Sequence, residues 1–241
     1  ILDNGWTVFR NAYKKKLINE IRSEILNQEE KYLKLQRNNN LKDEAKNTMH
    51  HIILMAPSSI KLIDPNPLHK FLEYYFESTY ILNTMGITMV KRAKKVYTQK
   101  VHRDVRSFSN QKKIMLIAIM LLDDSTSKNG ATWILKGSAK LDKKPDDKHF
   151  FDNGTRVLGK KGDIILFDGN VWHASGINIT SKPRVIVTAA FTKPYIKQGL
   201  DYPRAFGLDY RHSISDQLKQ TLGYNAMTPS NIDEFYKPKN L

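Results

Sequence analysis

The spacing of apolar and polar residues predicts helices at both ends of the chain. Residues 14–32 place apolar side chains at helical spacing with charges on the opposite face. Pro65-Asn66-Pro67 interrupts the chain, and the aromatic-rich residues 68–80 predict another helix. Residues 213–222 predict a short helix with Ser215 as its N-cap. The apolar face of the first helix consists of Leu17, Ile18, Ile21, Ile25 and Leu26.

The centre of the chain has the pattern of β-strands. Residues 114–122 form a continuous apolar run that ends at the polar cluster 123–130. Asp168-Gly169-Asn170 predicts a hairpin between two later strands. The further strand candidates are residues 131–135, 162–167, 171–175 and 184–191. Several short strands separated by turns are typical of a double-sheet barrel or jelly roll, so we expect a mainly β fold with helical wrapping (α+β).

One domain accounts for the chain. Its 241 residues, 40% of them hydrophobic, are enough to bury a full core, and no repeat or low-complexity tract divides them. We therefore expect a single domain over residues 1–241. Within it, the N-terminal helices fall at about 11–80, the β core at about 80–195 and a C-terminal segment at 196–241.

Four polar residues in the strand-rich region suggest a metal site. His102 and Asp104 are two residues apart, so both point to the same side of a strand, and His173 lies on another candidate strand. Two imidazoles and one carboxylate make up the facial triad that binds non-haem Fe(II). Arg184 adds a planar, permanently charged fork suited to the carboxylate of a co-substrate.

Other interpretations of these residue types remain open. A His-x-Asp triplet arises often by chance, and the alternative for His102 is a satisfied histidine in a strand. The adjacent His50 and His51 point apart on a helix or a strand, so they are a poor chelate. Asp163 and Asp168 flank a strand, and we expect them to shape turns rather than bind iron.

Three segments carry a family resemblance: residues 99–104, 129–138 and 172–184. They resemble the phytanoyl-CoA dioxygenase family of Fe(II)/2-oxoglutarate-dependent oxygenases, and the His-x-Ser-x-x-Asn…Arg run in the third is the most specific part. Residues 4–12 and 222–225 resemble the ends of that family, so the similarity spans nearly the whole chain. Residues 136–139 depart from the family, since they read Lys-Gly-Ser-Ala where Pro-Gly-Ser-His is usual.

The resemblance implies a role for each residue of the site. His102, Asp104 and His173 would be the catalytic iron ligands. Arg184, with Ser175 as its hydroxyl partner, would bind the distal carboxylate of 2-oxoglutarate.

Four further residues are weaker site candidates. Gln99 and Asn83 lie where the family often presents polar groups to 2-oxoglutarate or substrate. Trp133 and Trp172 bracket the site and are candidate substrate contacts, with core packing as the alternative.

The resemblance also implies the fold and the reaction. The fold is a double-stranded β-helix, a cupin-like jelly-roll barrel. Fe(II), 2-oxoglutarate and O2 together hydroxylate an unactivated C–H and release succinate and CO2. Related halogenases lack the carboxylate ligand so that chloride can bind, so Asp104 favours hydroxylation. Desaturation and epimerisation use the same triad and remain open.

The net charge of +15 bears on the substrate and on two alternative functions. A positive field favours anionic small molecules or nucleic acid, whereas a solvated lysine-rich surface needs no partner. No aromatic-basic platform typical of single-strand binding is visible, so we expect a small-molecule substrate, with an anionic one left open. A nucleic-acid-directed oxygenase and a non-catalytic barrel that acts as a binding module are the alternatives.

The cysteine count and the termini suggest where the protein acts. The absence of cysteine excludes disulfides and thiolate ligands, and it suits a reducing, cytoplasmic setting. No apolar stretch approaches the roughly eighteen residues that span a membrane. The chain begins at Ile1 rather than at methionine, which leaves open whether its N-terminus is trimmed. The substrate's identity and the oligomeric state do not follow from the sequence.

Overall fold

Nine strands form two antiparallel sheets in the computed structural model, which describes residues 1, 3–41, 47–92, 97–107 and 112–237. The strands are β1 (Trp6–Phe9), β2 (Thr48–His50), β3 (Ile81–Val90), β4 (Met115–Leu121), β5 (Thr132–Ile134), β6 (Thr155–Arg156), β7 (Ile164–Asp168), β8 (His173–Ser175) and β9 (Arg184–Thr192). The helices are α1 (Lys15–Asn27), α2 (Glu29–Asn38), α3 (His69–Phe76), α4 (Asp147–Asn153), α5 (Tyr202–Phe206), α6 (Asp216–Leu222) and α7 (Ile232–Tyr236). None of the described helices is long and apolar enough to cross a membrane.

The two sheets differ in size and together line one cavity. The larger sheet has six strands in the order β1-β7-β4-β9-β3-β2, and the smaller has three in the order β6-β5-β8. Side chains from β3, β4, β7 and β9 of the larger sheet and from β5 and β8 of the smaller sheet line the same cavity. The prediction of a mainly β fold with helical wrapping, built as a jelly roll, is confirmed.

The turn at residues 168–170 does not make the predicted hairpin. The strands on its two sides belong to different sheets, since β7 pairs with β1 and β4 whereas β8 pairs with β5. The local turn chemistry is as expected, because the Asp168 carboxylate accepts from the Asn170 backbone N–H at 2.8 Å. Turn residues therefore indicated where the chain bends, but not that the next strand would join the other sheet.

The β core also extends beyond its predicted bounds. Strands β1 and β2, at the two edges of the larger sheet, lie outside residues 80–195, although β1 falls in the segment that resembles the family's opening strand. The ten-residue strand β3 was not predicted by the apolar pattern. The helix expected at 14–32 is split into two helices, α1 and α2. Gln28 lies between them, as the C-cap of α1 and the N-cap of α2.

Local interactions set the C-terminal end of α3 and the N-terminal end of α6. The aromatic-rich helix α3 ends at Phe76 because Glu77 adopts a left-handed conformation with φ 53°. The predicted N-cap Ser215 is confirmed, since its hydroxyl accepts from the Leu218 backbone N–H at 3.0 Å.

Side chains on the central strands of the larger sheet point alternately into the main core and into the cavity. On β9, alternate residues pack against the helices and form part of the main core: Val185, Val187, Ala189 and Phe191. The residues between them face the other way and line the cavity: Ile186, Thr188 and Ala190. Strand β4 alternates likewise, with Leu116 and Ala118 in the main core and Ile117 and Ile119 at the cavity.

Candidate metal and co-substrate site

His102, Asp104 and His173 converge at the inner wall of the cavity. Nε2 of His102 lies 3.8 Å from Oδ1 of Asp104, and Nε2 of His173 lies 3.6 Å from Oδ2 of the same carboxylate. One possible ligand atom from each residue falls within 4.8 Å of the others. In the part of the chain that the structure describes, no other cluster of three or more His, Cys, Asp or Glu residues meets this criterion.

Backbone hydrogen bonds hold the three residues together. His102 and His173 exchange N–H···O=C bonds of 3.0 and 2.8 Å, so the loop that carries His102 is fixed to β8. The Asp104 backbone N–H donates to the carbonyl of Gly169 at 3.0 Å, which ties it to the turn between β7 and β8. His102 therefore sits at an isolated bridge and not inside a regular strand, although the convergence expected from its spacing is present.

Both histidine rings are oriented by a backbone carbonyl two residues earlier. Nδ1 of His102 donates to the Lys100 carbonyl at 2.7 Å, and Nδ1 of His173 donates to the Val171 carbonyl at 3.0 Å. Since a carbonyl can only accept, each ring keeps its proton on Nδ1 and presents the Nε2 lone pair to Asp104. Burial, and after it the neighbouring His173, lowers the pKa of His102, which keeps this imidazole neutral at pH 7.

Arg184 is completely buried and contacts Ser175, which lies two residues after His173 on β8. Its Nη2 donates to the carbonyl of Gly130 and, at 3.2 Å, to Oγ of Ser175, while Nε donates to the carbonyl of Asn129 at 3.2 Å. Burial lowers the pKa of Arg184 to about 10, with a partial opposite effect from Asp123, so the guanidinium remains a cation at neutral pH. Ser175 lines the cavity, and Arg184 lies directly behind it.

One nitrogen of the Arg184 fork lacks an acceptor. Nη1 is buried and has no hydrogen-bond partner among the described residues. A buried, charged N–H without an acceptor costs free energy, and nearly all such groups in folded proteins are satisfied. The same guanidinium contacts the cavity-lining Ser175, so a carboxylate bound at Ser175 is the candidate acceptor for Nη1. The residues present thus fit a dicarboxylate co-substrate. The triad fits Fe(II) by its donor set, with two imidazoles and one carboxylate.

The cavity encloses about 440 Å³ and is predominantly apolar. Its apolar walls come from both sheets and comprise Met85, Ile87, Met115, Ile117, Ile119, Phe167, Ile186 and Ala190. Its hydroxyl-bearing and amide residues are Asn83, Thr84, Thr88, Tyr97, Thr98, Thr132, Ser175 and Thr188. The metal-binding side chains therefore face a pocket suited to a small molecule with an apolar part.

The two weaker polar candidates differ in their placement. Asn83 lines the cavity, and its Nδ2 donates to the Lys197 carbonyl at 2.9 Å. Gln99 is not among the cavity-lining residues, whereas its neighbours Tyr97 and Thr98 are. Oγ1 of Thr98 is buried without a partner among the described residues, which makes it a better candidate for a polar contact in the cavity than Gln99.

The two tryptophans expected to contact substrate do not line the cavity. Because side chains alternate along a strand, Thr132 on β5 and His173 on β8 face the cavity, and Trp133 and Trp172 point to the opposite side. There they pack in a separate apolar cluster around Phe150. The core-packing alternative thus describes both residues, and we withdraw them as substrate contacts.

A pair of histidines that the sequence pattern does not assign to the site lies at the cavity. His50 and His51 both line it, although they form no metal cluster with other described residues. Nδ1 of His51 lies 2.9 Å from the hydroxyl of the fully buried Tyr202, and the His51 backbone is left-handed with φ 54°. A non-glycine residue in this conformation is uncommon and cannot be read from a single sequence. Burial lowers the pKa of both histidines, and they are neutral at pH 7.

Known proteins of similar sequence point to one family. The sequence model of the phytanoyl-CoA dioxygenase family matches residues 2–186. An uncharacterised protein of Mycobacterium tuberculosis is 33% identical over 117 residues, which are 48% of this chain and 43% of that protein. Dioxygenase af480 of Aspergillus fumigatus is 31% identical over 109 residues, 43% of this chain and 34% of that protein. The matched region thus spans less than half the length of these curated relatives.

Two solved structures have a similar fold. EctD from S. alaskensis, crystallised with 2-oxoglutarate and 5-hydroxyectoine, superposes with a TM-score of 0.66 at 17% identity, over 79% of this chain and 73% of EctD. The non-haem, α-ketoglutarate-dependent epimerase SnoN from nogalamycin biosynthesis gives a TM-score of 0.61 at 14% identity, over 80% of each chain. At such low identity these two likenesses bear on the fold. The family match covers most of the chain, and the chain therefore belongs to the phytanoyl-CoA dioxygenase family of oxygenases.

Proposed function

We propose that the protein is an Fe(II)- and 2-oxoglutarate-dependent dioxygenase that hydroxylates an unactivated C–H of a small molecule. The observation that carries this proposal is the convergence of His102, Asp104 and His173 on an apolar cavity, backed by a buried Arg184 whose Nη1 has no acceptor among the described residues. A buried guanidinium that contacts the cavity-lining Ser175 and keeps one N–H without an acceptor among the described residues supports a role in ligand binding.

Each residue has a distinct part in the proposed reaction. His102, Asp104 and His173 would hold Fe(II) from one side and leave coordination positions open towards the cavity. Fe(II), with 2-oxoglutarate and O2, supplies the oxidant for a C–H bond, while 2-oxoglutarate becomes succinate and CO2 and the second oxygen atom enters the product. Arg184 would fix the distal carboxylate of 2-oxoglutarate through charge-assisted hydrogen bonds, with Ser175 alongside.

The surroundings of the site serve the same chemistry. The apolar walls keep water from the reacting centre and hold the substrate's hydrocarbon part next to the ligands. The Nδ1–H bonds to backbone carbonyls keep both rings in one tautomer, so no proton rearrangement precedes metal binding.

The presence of Asp104 favours hydroxylation over halogenation, because a carboxylate fills the position that a halide would need. The structural neighbours do not separate hydroxylation from the other outcomes of this centre. SnoN is an epimerase, whereas EctD was crystallised with a hydroxylated compound. We propose hydroxylation as the reaction with the simplest demand on the site, since it needs no further proton donor or acceptor.

Release of succinate without added substrate tests this proposal. The purified protein is loaded with Fe(II), supplied with 2-oxoglutarate and O2, and assayed for succinate. We expect iron-dependent release at least about tenfold above a sample loaded with Zn2+, and its loss in Asp104→Ala. Asp152→Ala, at an exposed carboxylate of α4, is the matched control and should behave as the parent protein. No iron-dependent succinate in the parent protein would contradict the proposal.

A further inference from the structure

The cavity is lined by an arginine, Arg106, that has no role in the proposed reaction. Among the described lining residues, the ligand Asp104 is the acidic one and Arg106 brings a guanidinium, while burial lowers the pKa of His50 and His51. Arg106 lies two residues after the ligand Asp104 and lines the same cavity. Its guanidinium therefore adds positive charge to the wall that carries the metal ligands.

Arg106 forms no ion pair with the described carboxylates. No ion pair joins it to a carboxylate anywhere in the described ranges, and its side chain is solvent-exposed at the cavity. Asp104, two residues away, is directed at the two histidines and would be a metal ligand. An arginine that faces a cavity without a partner is suited to bind an anionic oxygen group through its planar fork.

A count of charges gives the valence of the group that Arg106 would meet. This step rests on the proposed function. Asp123, whose charge also acts on Arg184, is paired with Arg22 at 3.0 Å and so adds no net charge. The two positive charges of Fe(II) and one of Arg184 balance the single negative charge of Asp104 and the two of 2-oxoglutarate. Arg106 then remains as one uncompensated positive charge, so the loaded site is complementary to a monoanion.

The apolar wall of the cavity indicates that the rest of the substrate is apolar. Most of the wall that faces the metal ligands is hydrocarbon, with Met115, Ile117 and Ile119 on β4 and Ile186 and Ala190 on β9. We infer that the substrate is a small amphiphilic monoanion: an anionic oxygen group pairs with Arg106, and an apolar body lies against these side chains. The volume of about 440 Å³ admits a small molecule together with the co-substrate.

Matched probes test the charge preference without turnover. The protein is loaded with Zn2+ and saturating 2-oxoglutarate, whose binding is first measured by calorimetry. Linear carboxylates of four to ten carbons are then titrated, each against the alcohol and the amine of the same length. We expect at least one carboxylate to bind about five- to tenfold more tightly than its alcohol, and the amines to bind weakest.

Variants at Arg106 assign the preference to this residue. Arg106→Gln should reduce the preference for carboxylate to within about twofold, and Arg106→Lys should keep most of it, because Lys preserves the charge. Arg211→Gln, at an exposed arginine outside the cavity, should leave it unchanged. Because Arg106 is exposed, neither substitution should affect folding.

The outcomes separate this inference from the proposed function. If 2-oxoglutarate binds normally but no carboxylate is preferred, or if Arg106→Gln keeps the preference, the inference is wrong and the proposed function stands. If 2-oxoglutarate does not bind the metal-loaded protein, the proposed function fails and the charge count fails with it.

Discussion

The two faces of the larger sheet are built from the same strands and serve different purposes. The face towards the helices is mostly apolar, as in Val187 and Phe191 of β9. The face towards the cavity mixes Ile186 and Ala190 with Thr188, and the same strand begins with the buried Arg184. Adjacent residues of one strand thus contribute to stability on one side and to ligand binding on the other. Neighbouring substitutions should therefore give opposite phenotypes.

The largest expected effect is on the cavity side, at Asp104. Asp104→Ala removes one of three ligands, so we expect oxygenase activity to fall at least about a thousandfold and Fe(II) affinity to fall about ten- to a hundredfold or more. The carboxylate is part-exposed and its removal leaves no large void, so the melting temperature of the metal-free protein should change little. Full activity in this variant would remove Asp104 from the site.

A substitution on the helix side should have the reverse effect. Phe191 is fully buried and packs edge-on against Tyr80 with ring centroids 5.5 Å apart. Phe191→Ala should lower the free energy of unfolding by about 3–5 kcal/mol, measured by urea denaturation. The KM for 2-oxoglutarate of the folded fraction should stay near that of the parent protein. A small loss of stability with a large change in KM would contradict the division between the two faces.

Arg184 tests the cavity face on the same strand. Arg184→Lys keeps the charge but loses the fork, so we expect the KM for 2-oxoglutarate to rise about ten- to a hundredfold, with little change in metal affinity. Val185→Ala, one residue further on, faces the main core and is the matched control. It should lower stability by about 1–2 kcal/mol and leave KM unchanged. An unchanged KM in both Arg184→Lys and Arg184→Ala would show that Arg184 does not bind the co-substrate.

The smallest expected effect is at the buried hydroxyl behind His51. Tyr202→Phe removes the hydrogen-bond partner of His51 Nδ1. This should lower the free energy of unfolding by about 1 kcal/mol and change the proportion of the two tautomers of the His51 ring. Nitrogen NMR shifts of His51 report the tautomer directly, and metal binding should be unaffected. Identical His51 shifts in both proteins would mean that Tyr202 does not orient the ring.

The same division explains how much of the fold the sequence could predict. Strands β4, β7 and β9 were predictable because both faces are mostly apolar and turn residues bound them. Strand β3 was not, since its cavity face carries Asn83, Thr84, Gly86 and Thr88, so it lacks the composition of a buried strand. A strand that lines a polar site does not look like a core strand.

The site was predictable to a similar extent. The spacing of His102 and Asp104, with His173 and Arg184 on later strands, located the residues that converge. Alternation along β8 would also have placed Trp172 on the outer side once His173 was taken as inward. The contribution of His51 was not predictable, because it depends on a left-handed residue and on a contact with Tyr202, 151 positions away.

The central claim is that the three ligands and Arg184 form one Fe(II)/2-oxoglutarate site. Anaerobic titration of 2-oxoglutarate into the Fe(II)-loaded protein tests it most directly, since chelation of the metal by the keto acid gives a visible charge-transfer absorption. We predict a saturable band with the parent protein and with Val185→Ala, no band with Asp104→Ala, and saturation at about ten- to a hundredfold higher 2-oxoglutarate with Arg184→Lys. Absence of the band in the parent protein, or a band that neither Asp104→Ala nor Arg184→Lys alters, would contradict the account.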